Sequence, residues 1–105
     1  MRITKEFNRL YHSAFLKDLY DQMNFIFNLE MSFDNFKQML KYANKSYPRY
    51  KDSNDLVSTR DISSKDLVKH IEWIRRYASS YGFTLNIDEE DYRRMMELAH
   101  ALGHN

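Results

Sequence analysis

Apolar positions recur at helical spacing in three stretches of the chain, and each stretch begins in the same way. A polar residue able to cap a helix follows one apolar residue, and a second apolar residue stands four positions further on. The three capping residues are Ser32, Ser63 and Asp88. Together with the spacing, these starts predict helices at about 33–44, 64–81 and 89–102.

The residues that follow these helices predict where each one stops. Asn44 is suited to a left-handed turn after the first helix, and Pro48 prevents the helix from continuing. Gly82 suits a left-handed cap after the second helix, with Phe83 folding back on the last turn, and Gly103 ends the third. Because the link after Gly82 is short, the second and third helices should form an antiparallel hairpin.

A further helix, at about 4–29, carries two apolar stripes instead of one. Counted at about 100° per residue, the stripe of its second half lies roughly 150° from that of its first half. No single neighbour can cover both stripes. Three explanations stay open: the helix breaks near His12 and Ser13, its second half is central in the bundle, or one face meets a partner. A second copy of the chain is one such partner.

These elements predict an all-α fold, a single helical domain over residues 1–105 with four helices. Two glycines and one proline leave little material for the turns of a β-sandwich or barrel. The segment at 45–62 is polar and predicts a long loop, which is unusual in a compact domain and often functional.

Composition narrows the setting of the protein. The chain has no cysteine, which excludes disulfides, thiolate metal sites and a cysteine nucleophile. Its first residues lack the unbroken apolar core of a cleavable signal, and no apolar run approaches a membrane span, so we expect a cytoplasmic protein. The residue types with AT-rich codons, which are Phe, Tyr, Met, Ile, Asn and Lys, total 43 residues. Those with GC-rich codons, which are Gly, Ala, Arg and Pro, total 16. This bias favours an origin in an AT-rich bacterium or in a phage or other mobile element.

Five cations between residues 37 and 51 have no acidic residue among them, although the net charge of the chain is only +1. Any nucleic-acid binding must therefore be local. Cations that neutralise phosphate and rings that stack on bases predict a candidate nucleic-acid surface. Its residues are Lys37, Gln38, Lys41, Lys45, Tyr47, Arg49, Tyr50 and Lys51. The alternative is structural: Lys41 and Lys45 complement the helix dipole, and the tyrosines dock the loop onto the bundle.

A second candidate surface is a contact for a protein partner. Tryptophan and arginine are typical anchors of protein interfaces, and a cluster of both lies at one edge of the helix at 64–81. The second stripe of the helix at 4–29 supplies apolar area. The candidate partner-binding residues are Leu16, Tyr20, Met23, Phe27, Lys69, Trp73 and Arg76.

Groups that suggest chemistry have simpler structural interpretations. The acidic run at 88–91 suits a helix N-terminus, and Glu72→Arg76, Glu89→Arg93 and Glu90→Arg94 have the spacing of helix-surface ion pairs. His100 and His104 have a metal-ligand spacing but no third ligand, so we expect no metal and no cofactor. His70 is expected to be a core or rim histidine with one hydrogen bond. No catalytic motif is present, and we expect no enzymatic activity.

The sequence thus leads to two functional hypotheses. The first is a non-enzymatic inhibitor or adaptor that occludes a protein or protein–nucleic acid partner. A mobile-element origin would put it in the class of small inhibitors of host machinery or defence, which includes anti-CRISPR proteins. The alternative is a DNA- or RNA-binding regulator that uses the helix at 33–44 and the segment at 41–51.

Overall fold

The structure, a computed structural model, describes the backbone of residues 2–102 and the side chains of residues 4–102. Within this range the chain forms a bundle of four helices with no β-strand, as the sequence predicted. Helix α1 consists of three consecutive segments, Arg2–Asn8, Arg9–Leu16 and Lys17–Phe27. The others are α2 (Phe33–Ala43), α3 (Ser64–Ser80) and α4 (Glu89–Leu102). In the described range, no helix is both long enough and apolar enough to cross a membrane.

The middle segment of α1, Arg9–Leu16, is a π-helix. Its hydrogen bonds reach back five residues, and the backbone N–H of Lys17 still donates to the carbonyl of His12. The helix therefore does not break at His12 and Ser13, although the irregularity is centred there. Each residue of a π-helix turns by less than the 100° of an α-helix, so later positions lag behind an α-helical count.

This lag brings most of the two apolar stripes of α1 onto one face, whereas Ile26 and Phe27 at the end of the second stripe stay exposed. The lag acts in the direction that cancels the angular offset between the two stripes, and the two angles are of similar size. Side chains from both stripes are buried in a single core. They are Phe7, Leu10, Tyr11, Phe15, Leu16, Leu19 and Met23. In a regular α-helix the same sequence would place these apolar residues on two separate faces. The π segment places them on one continuous face.

All three predicted helix caps are present. The hydroxyl of Ser32 accepts a hydrogen bond from the N–H of Asn35, and that of Ser63 from the N–H of Asp66, both at 3.1 Å. A carboxylate oxygen of Asp88 accepts from the N–H of Asp91 at 2.7 Å. These bonds satisfy donors that have no partner inside the helix.

Helices α3 and α4 form the predicted hairpin, and Gly82 begins the link with φ +81°. The N–H of Gly82 donates to the carbonyl of Ser79 and that of Phe83 to Ala78, the two bonds of a Schellman motif. Helix α1 ends at Phe27, two residues earlier than predicted, because Asn28 takes the left-handed conformation with φ +50°. The predicted end at Gly103 lies outside the described residues.

Asn44 does not take the left-handed turn predicted for it. Its backbone is extended, with φ −82° and ψ 98°, and its side chain turns inward. The side-chain oxygen accepts a hydrogen bond from the N–H of Ser46 at 3.1 Å, and this bond starts the loop. The end of α2 is therefore defined by a side-chain hydrogen bond instead of a left-handed residue.

The long loop between α2 and α3 folds back on itself. Arg49 and Leu56 form an antiparallel bridge, and the N–H of Val57 donates to the carbonyl of Pro48 at 3.1 Å. The buried hydroxyl of Tyr47 donates to the carbonyl of Val57 at 2.6 Å. The loop at 45–62 thus has a defined fold and covers one side of α2.

Candidate functional site

Four large apolar side chains are exposed where the end of α1 meets the end of α3. Phe25 is 88% exposed, Ile26 59%, Phe27 51% and Tyr81 55%. Phe83 packs against them, with its ring centroid 6.1 Å from that of Phe27. We call these five residues the apolar patch. They line a shallow cavity of about 380 Å³.

Polar bonds hold the two sides of the apolar patch together. One carboxylate oxygen of Asp18 accepts from the backbone N–H of Asn86 at 2.8 Å. The side-chain amide of Gln22 donates to the carbonyl of Thr84 at 2.9 Å. These contacts join α1 to the link after α3, so the patch is a fixed surface and not a loose end.

The predicted partner-binding residues of α1 separate into core and surface. Leu16 is 1% exposed and Met23 is 4% exposed, so both side chains lie in the core and not on the surface that was predicted to meet a partner. Tyr20 is half-buried, and its hydroxyl donates to the carbonyl of Met31 at 2.6 Å. Of the four, Phe27 alone belongs to the apolar patch.

The three predicted contact residues of α3 lie together. Lys69, Trp73 and Arg76 line one groove of about 280 Å³, beside Tyr47 and His70. The ring of Trp73 stacks between His70 and Tyr77, with centroid distances of 6.1 Å and 4.9 Å. This aromatic ladder continues along α3 to Tyr81 and then across to Phe27 in the apolar patch.

The candidate nucleic-acid surface is divided by the loop. Lys41 was predicted to be part of this surface, but it is only 9% exposed because the loop covers that side of α2. Tyr47 is buried and Tyr50 donates its hydroxyl to a carboxylate oxygen of Asp61 at 2.6 Å, so both rings anchor the loop. Lys37 is partly buried and pairs with Asp34 at 3.1 Å.

Four residues of this surface remain exposed: Gln38, Lys45, Arg49 and Lys51. The guanidinium of Arg49 donates to the carbonyl of Asn54 at 2.9 Å. It also lies 5.6 Å from the ring centroid of Tyr42, which is 62% exposed. Tyr42 was not among the predicted residues, although its place between Lys41 and Lys45 was a signal.

A polar cavity of about 220 Å³ lies between the π segment of α1 and helix α2. We call it the inner cavity. Its polar lining includes His12, Lys37, Lys41, Thr59 and His70. The Nζ of Lys41 is 3.5 Å from the hydroxyl of Thr59, and burial, followed by the charge of Lys37, lowers the pKa of Lys41.

Two histidines, His12 and His70, also line this cavity. Nδ1 of His12 is buried and has no hydrogen-bond partner among the described residues, and burial lowers the pKa of His12. His70 is 2% exposed and accepts one hydrogen bond from the side chain of Asn44, as expected for a core histidine. Burial, followed by the charge of Lys41, lowers the pKa of His70 to about 4.

The arginine doublets form ion pairs, but not the predicted ones. Arg75 pairs with Glu89 across the α3–α4 hairpin, and Arg94 pairs with Glu6 of α1 at 2.9 Å and with Glu97 at 3.5 Å. Within residues 4–102, neither Arg76 nor Arg93 forms an ion pair. The predicted i,i+4 pairs are replaced by two pairs between helices, Arg75–Glu89 and Arg94–Glu6, and by one i,i+3 pair within α4, Arg94–Glu97.

Residues 4–102 contain no group of three or more His, Asp or Glu side chains placed to hold a metal ion. His104 lies outside the described residues, so the pair that it would form with His100 is not described. Of the apolar patch, only Phe27 was among the predicted site residues. Three consecutive apolar residues at 25–27 were the available signal, because a helix cannot turn all three toward one core.

No protein-family model, no characterised protein and no solved structure matches this chain.

Proposed function

We propose that this chain is a non-enzymatic binding protein of the cytoplasm, an inhibitor or adaptor that covers a surface of a protein partner with its apolar patch. The observation that carries the proposal is the exposure of Phe25, Ile26, Phe27 and Tyr81 at one place. Contiguous exposed apolar side chains of this size mark interaction sites on soluble proteins.

The form of the apolar patch supports a specific contact. Aromatic rings supply large, stiff contact areas at low entropic cost, and Phe25, Phe27, Tyr81 and Phe83 provide four of them. The bonds from Asp18 and Gln22 hold the surface in shape before a partner arrives, so little order has to be gained on binding.

The groove lined by Lys69, Trp73 and Arg76 extends this contact. It is joined to the apolar patch by the ladder of Trp73, Tyr77 and Tyr81 along α3. Arginine and tryptophan beside an apolar centre are typical of the residues that dominate binding energy. A partner that covers both would meet apolar rings in the middle and cations at one end.

The amino-acid composition favours a phage or other mobile element as the source of this proposed cytoplasmic inhibitor. Such a protein acts by occlusion and needs a fixed contact surface, not a catalytic centre. The proposal places that surface at the ends of α1 and α3.

Site-specific photo-crosslinking tests this function. A photoreactive residue at position 25, introduced in cells that carry the gene, should yield one dominant crosslinked polypeptide. The same residue at the exposed position of Arg93 in α4 is the matched control and should yield none. Phe25→Ser should remove binding of that polypeptide while helical circular dichroism stays unchanged. Absence of a specific crosslink from position 25 would overturn the proposal.

The size of the crosslinked product identifies the class of partner. A product of twice the chain mass, with sedimentation that depends on concentration, would identify a second copy of the chain. A product of any other mass identifies a different protein. Both outcomes use the apolar patch and support binding there.

The exposed ring of Tyr42 beside Arg49 supports the alternative function, a DNA- or RNA-binding regulator. Together with Lys45 and Lys51 it presents cations and one ring on the outer side of α2 and the loop. Replacing Lys45, Arg49 and Lys51 by glutamine should then abolish a salt-sensitive shift of labelled DNA or RNA. If the unsubstituted chain gives no shift at low salt, this alternative is wrong.

A further inference from the structure

Lys41 is a buried cation that has no carboxylate partner within residues 4–102. Among residues 4–102 the ion pairs involve Lys17, Lys37, Arg75 and Arg94, and none reaches Lys41. Its contacts are the hydroxyl of Thr59 at 3.5 Å and the ring of Tyr47 at 5.3 Å. An ammonium group has three hydrogens to donate, and buried charges are ordinarily paired. Lys41 is therefore placed to bind an acceptor that these protein groups do not supply.

The acceptor would lie in the inner cavity, which Lys41 lines. Lys37 stands one helical turn before Lys41 and also lines this space, so two cations of α2 face it. The acidic residue of the lining is Asp34, whose side chain is 88% exposed and pairs with Lys37. The deeper part of the cavity, next to Lys41, has the electrostatic character of an anion site.

An independent observation comes from the opposite wall. Nδ1 of His12 is buried and has no hydrogen-bond partner in the part of the chain that the structure describes, and His12 belongs to the π segment of α1. Irregular π turns inside α-helices are frequent at binding sites. One ligand in the inner cavity would thus meet unsatisfied groups from two helices, an ammonium on α2 and an imidazole nitrogen on α1.

The chemistry of the lining favours a tetrahedral oxyanion. A phosphate group offers several acceptor oxygens to Lys41, Lys37 and Thr59. A singly protonated phosphate ester, like the monoanion of inorganic phosphate, also carries an O–H that can donate to a neutral imidazole nitrogen. The cavity volume of about 220 Å³ exceeds that of several water molecules, which is enough for such a group.

We propose that the inner cavity is a binding site for a phosphate-type oxyanion, held by Lys41, Lys37 and Thr59 on one side and by His12 on the other. The site is separate from the apolar patch and does not depend on the function proposed for it. Binding would add charge-assisted bonds between α1, α2 and the loop, and so stabilise the bundle.

Thermal unfolding in inorganic phosphate tests the site. Potassium phosphate should raise the Tm above that in potassium chloride at the same ionic strength and pH. The Tm should continue to rise by several degrees for each tenfold increase in phosphate above Kd. Equal Tm values in the two salts at every concentration would overturn the proposal.

Lys41→Met removes the charge and keeps the apolar stem of the side chain. We expect this variant to fold, to be at least as stable as the parent in chloride, and to lose the effect of phosphate. Lys45→Met is the matched control, because Lys45 is exposed one turn later, and it should respond to phosphate like the parent chain. A Lys41→Met variant that keeps the full response would also overturn the site.

A direct binding measurement on the unsubstituted chain gives a result even if a variant fails to fold. On the unsubstituted chain, phosphate should shift the imidazole resonances of His12 in an NMR titration, with a single Kd that agrees with the thermal data. Thr59→Val should weaken that Kd several-fold. No change at His12 at saturating phosphate would contradict the proposal.

The source of the phosphate is resolved by a second probe. Glycerol phosphate that binds more tightly than inorganic phosphate would identify an esterified phosphate as the ligand, and weaker binding would identify the free anion. Phe25→Ser should leave both affinities unchanged. The proposal of a phosphate site and the proposal of a partner contact at the apolar patch can therefore be refuted independently.

Discussion

The side-chain amide of Asn44 donates a hydrogen bond to Nδ1 of His70 across 2.9 Å in the interior. The orientation of this amide is fixed, because its oxygen accepts from the N–H of Ser46 at 3.1 Å. Nδ1 of His70 must then be an acceptor, and the imidazole is neutral. The bond joins the end of α2 to the middle of α3 and requires that neutral form.

Stability should therefore fall as the pH drops below neutrality. The pKa of His70 is lowered to about 4 in the folded chain, whereas an unfolded histidine titrates near 6.5. Between these values the unfolded chain binds the proton and the folded chain does not. The contribution of His70 is complete above about pH 6.5 and decreases toward pH 4, by up to about 3 kcal/mol. Urea unfolding at pH 7 and pH 5 measures the difference.

His70→Gln is the variant that isolates this effect. It should flatten the dependence of the unfolding free energy on pH between 7 and 5, because most carboxylates titrate below that window. The residual slope belongs to His12, whose pKa is lowered in the same direction by burial, followed by the charge of Lys37. A slope unchanged in His70→Gln would show that His70 is not the titrating group.

Local chemistry made the helix starts and the α3–α4 hairpin predictable. The caps at Ser32, Ser63 and Asp88 depend on residues within three positions, and so does the Schellman turn at Gly82. Such caps and turns can be recognised in a sequence because the residues that form their hydrogen bonds are close neighbours along the chain.

The course of α1 and the position of Lys41 were not predictable in the same way. Helical periodicity assumes a constant turn per residue, and the π segment Arg9–Leu16 departs from it. The two offset stripes of α1 were its signal, but three explanations fitted them. Lys41 lies on the polar side of α2 and is buried only because Thr59 and the rest of the loop fold over it. No local rule indicates where a long loop will dock.

Leu16→Ala and Phe25→Ala should differ sharply in stability. Leu16 is 1% exposed, so its truncation leaves a cavity and should lower the free energy of unfolding by about 2–5 kcal/mol. Phe25 is 88% exposed, and the same change there should alter it by less than about 0.5 kcal/mol. Urea denaturation of both variants checks the assignment of Leu16 to the core. Equal losses would contradict it.

Ser63→Ala should destabilise the chain by about 1 kcal/mol, because it removes the acceptor of the N–H of Asp66 at the start of α3. Ser79 is exposed near the end of the same helix and serves as the control. Ser79→Ala should be neutral or slightly stabilising, since alanine is the better helix former. Thermal unfolding of the pair measures both changes, and a loss in Ser79→Ala as large as in Ser63→Ala would argue against the cap.

Tyr47→Phe should loosen the loop between α2 and α3. The change removes the hydroxyl that donates to the carbonyl of Val57 at 2.6 Å and leaves that buried carbonyl without this donor, at a cost of about 1–3 kcal/mol. Hydrogen exchange should become faster at the N–H of Val57, which bonds to Pro48.

Tyr50→Phe is the matched control for that experiment. Its hydroxyl donates to the exposed side chain of Asp61 and accepts from the backbone N–H of Ser58 at 3.2 Å. Both partners lie in partly or fully exposed residues and can bond to water instead, so the loss should be smaller. If both variants exchange like the parent chain, the hydroxyls do not hold the loop, and the covering of Lys41 would need another cause. Faster exchange confined to Tyr47→Phe would show that the hydrogen bond from Tyr47 to Val57 anchors the loop that covers Lys41.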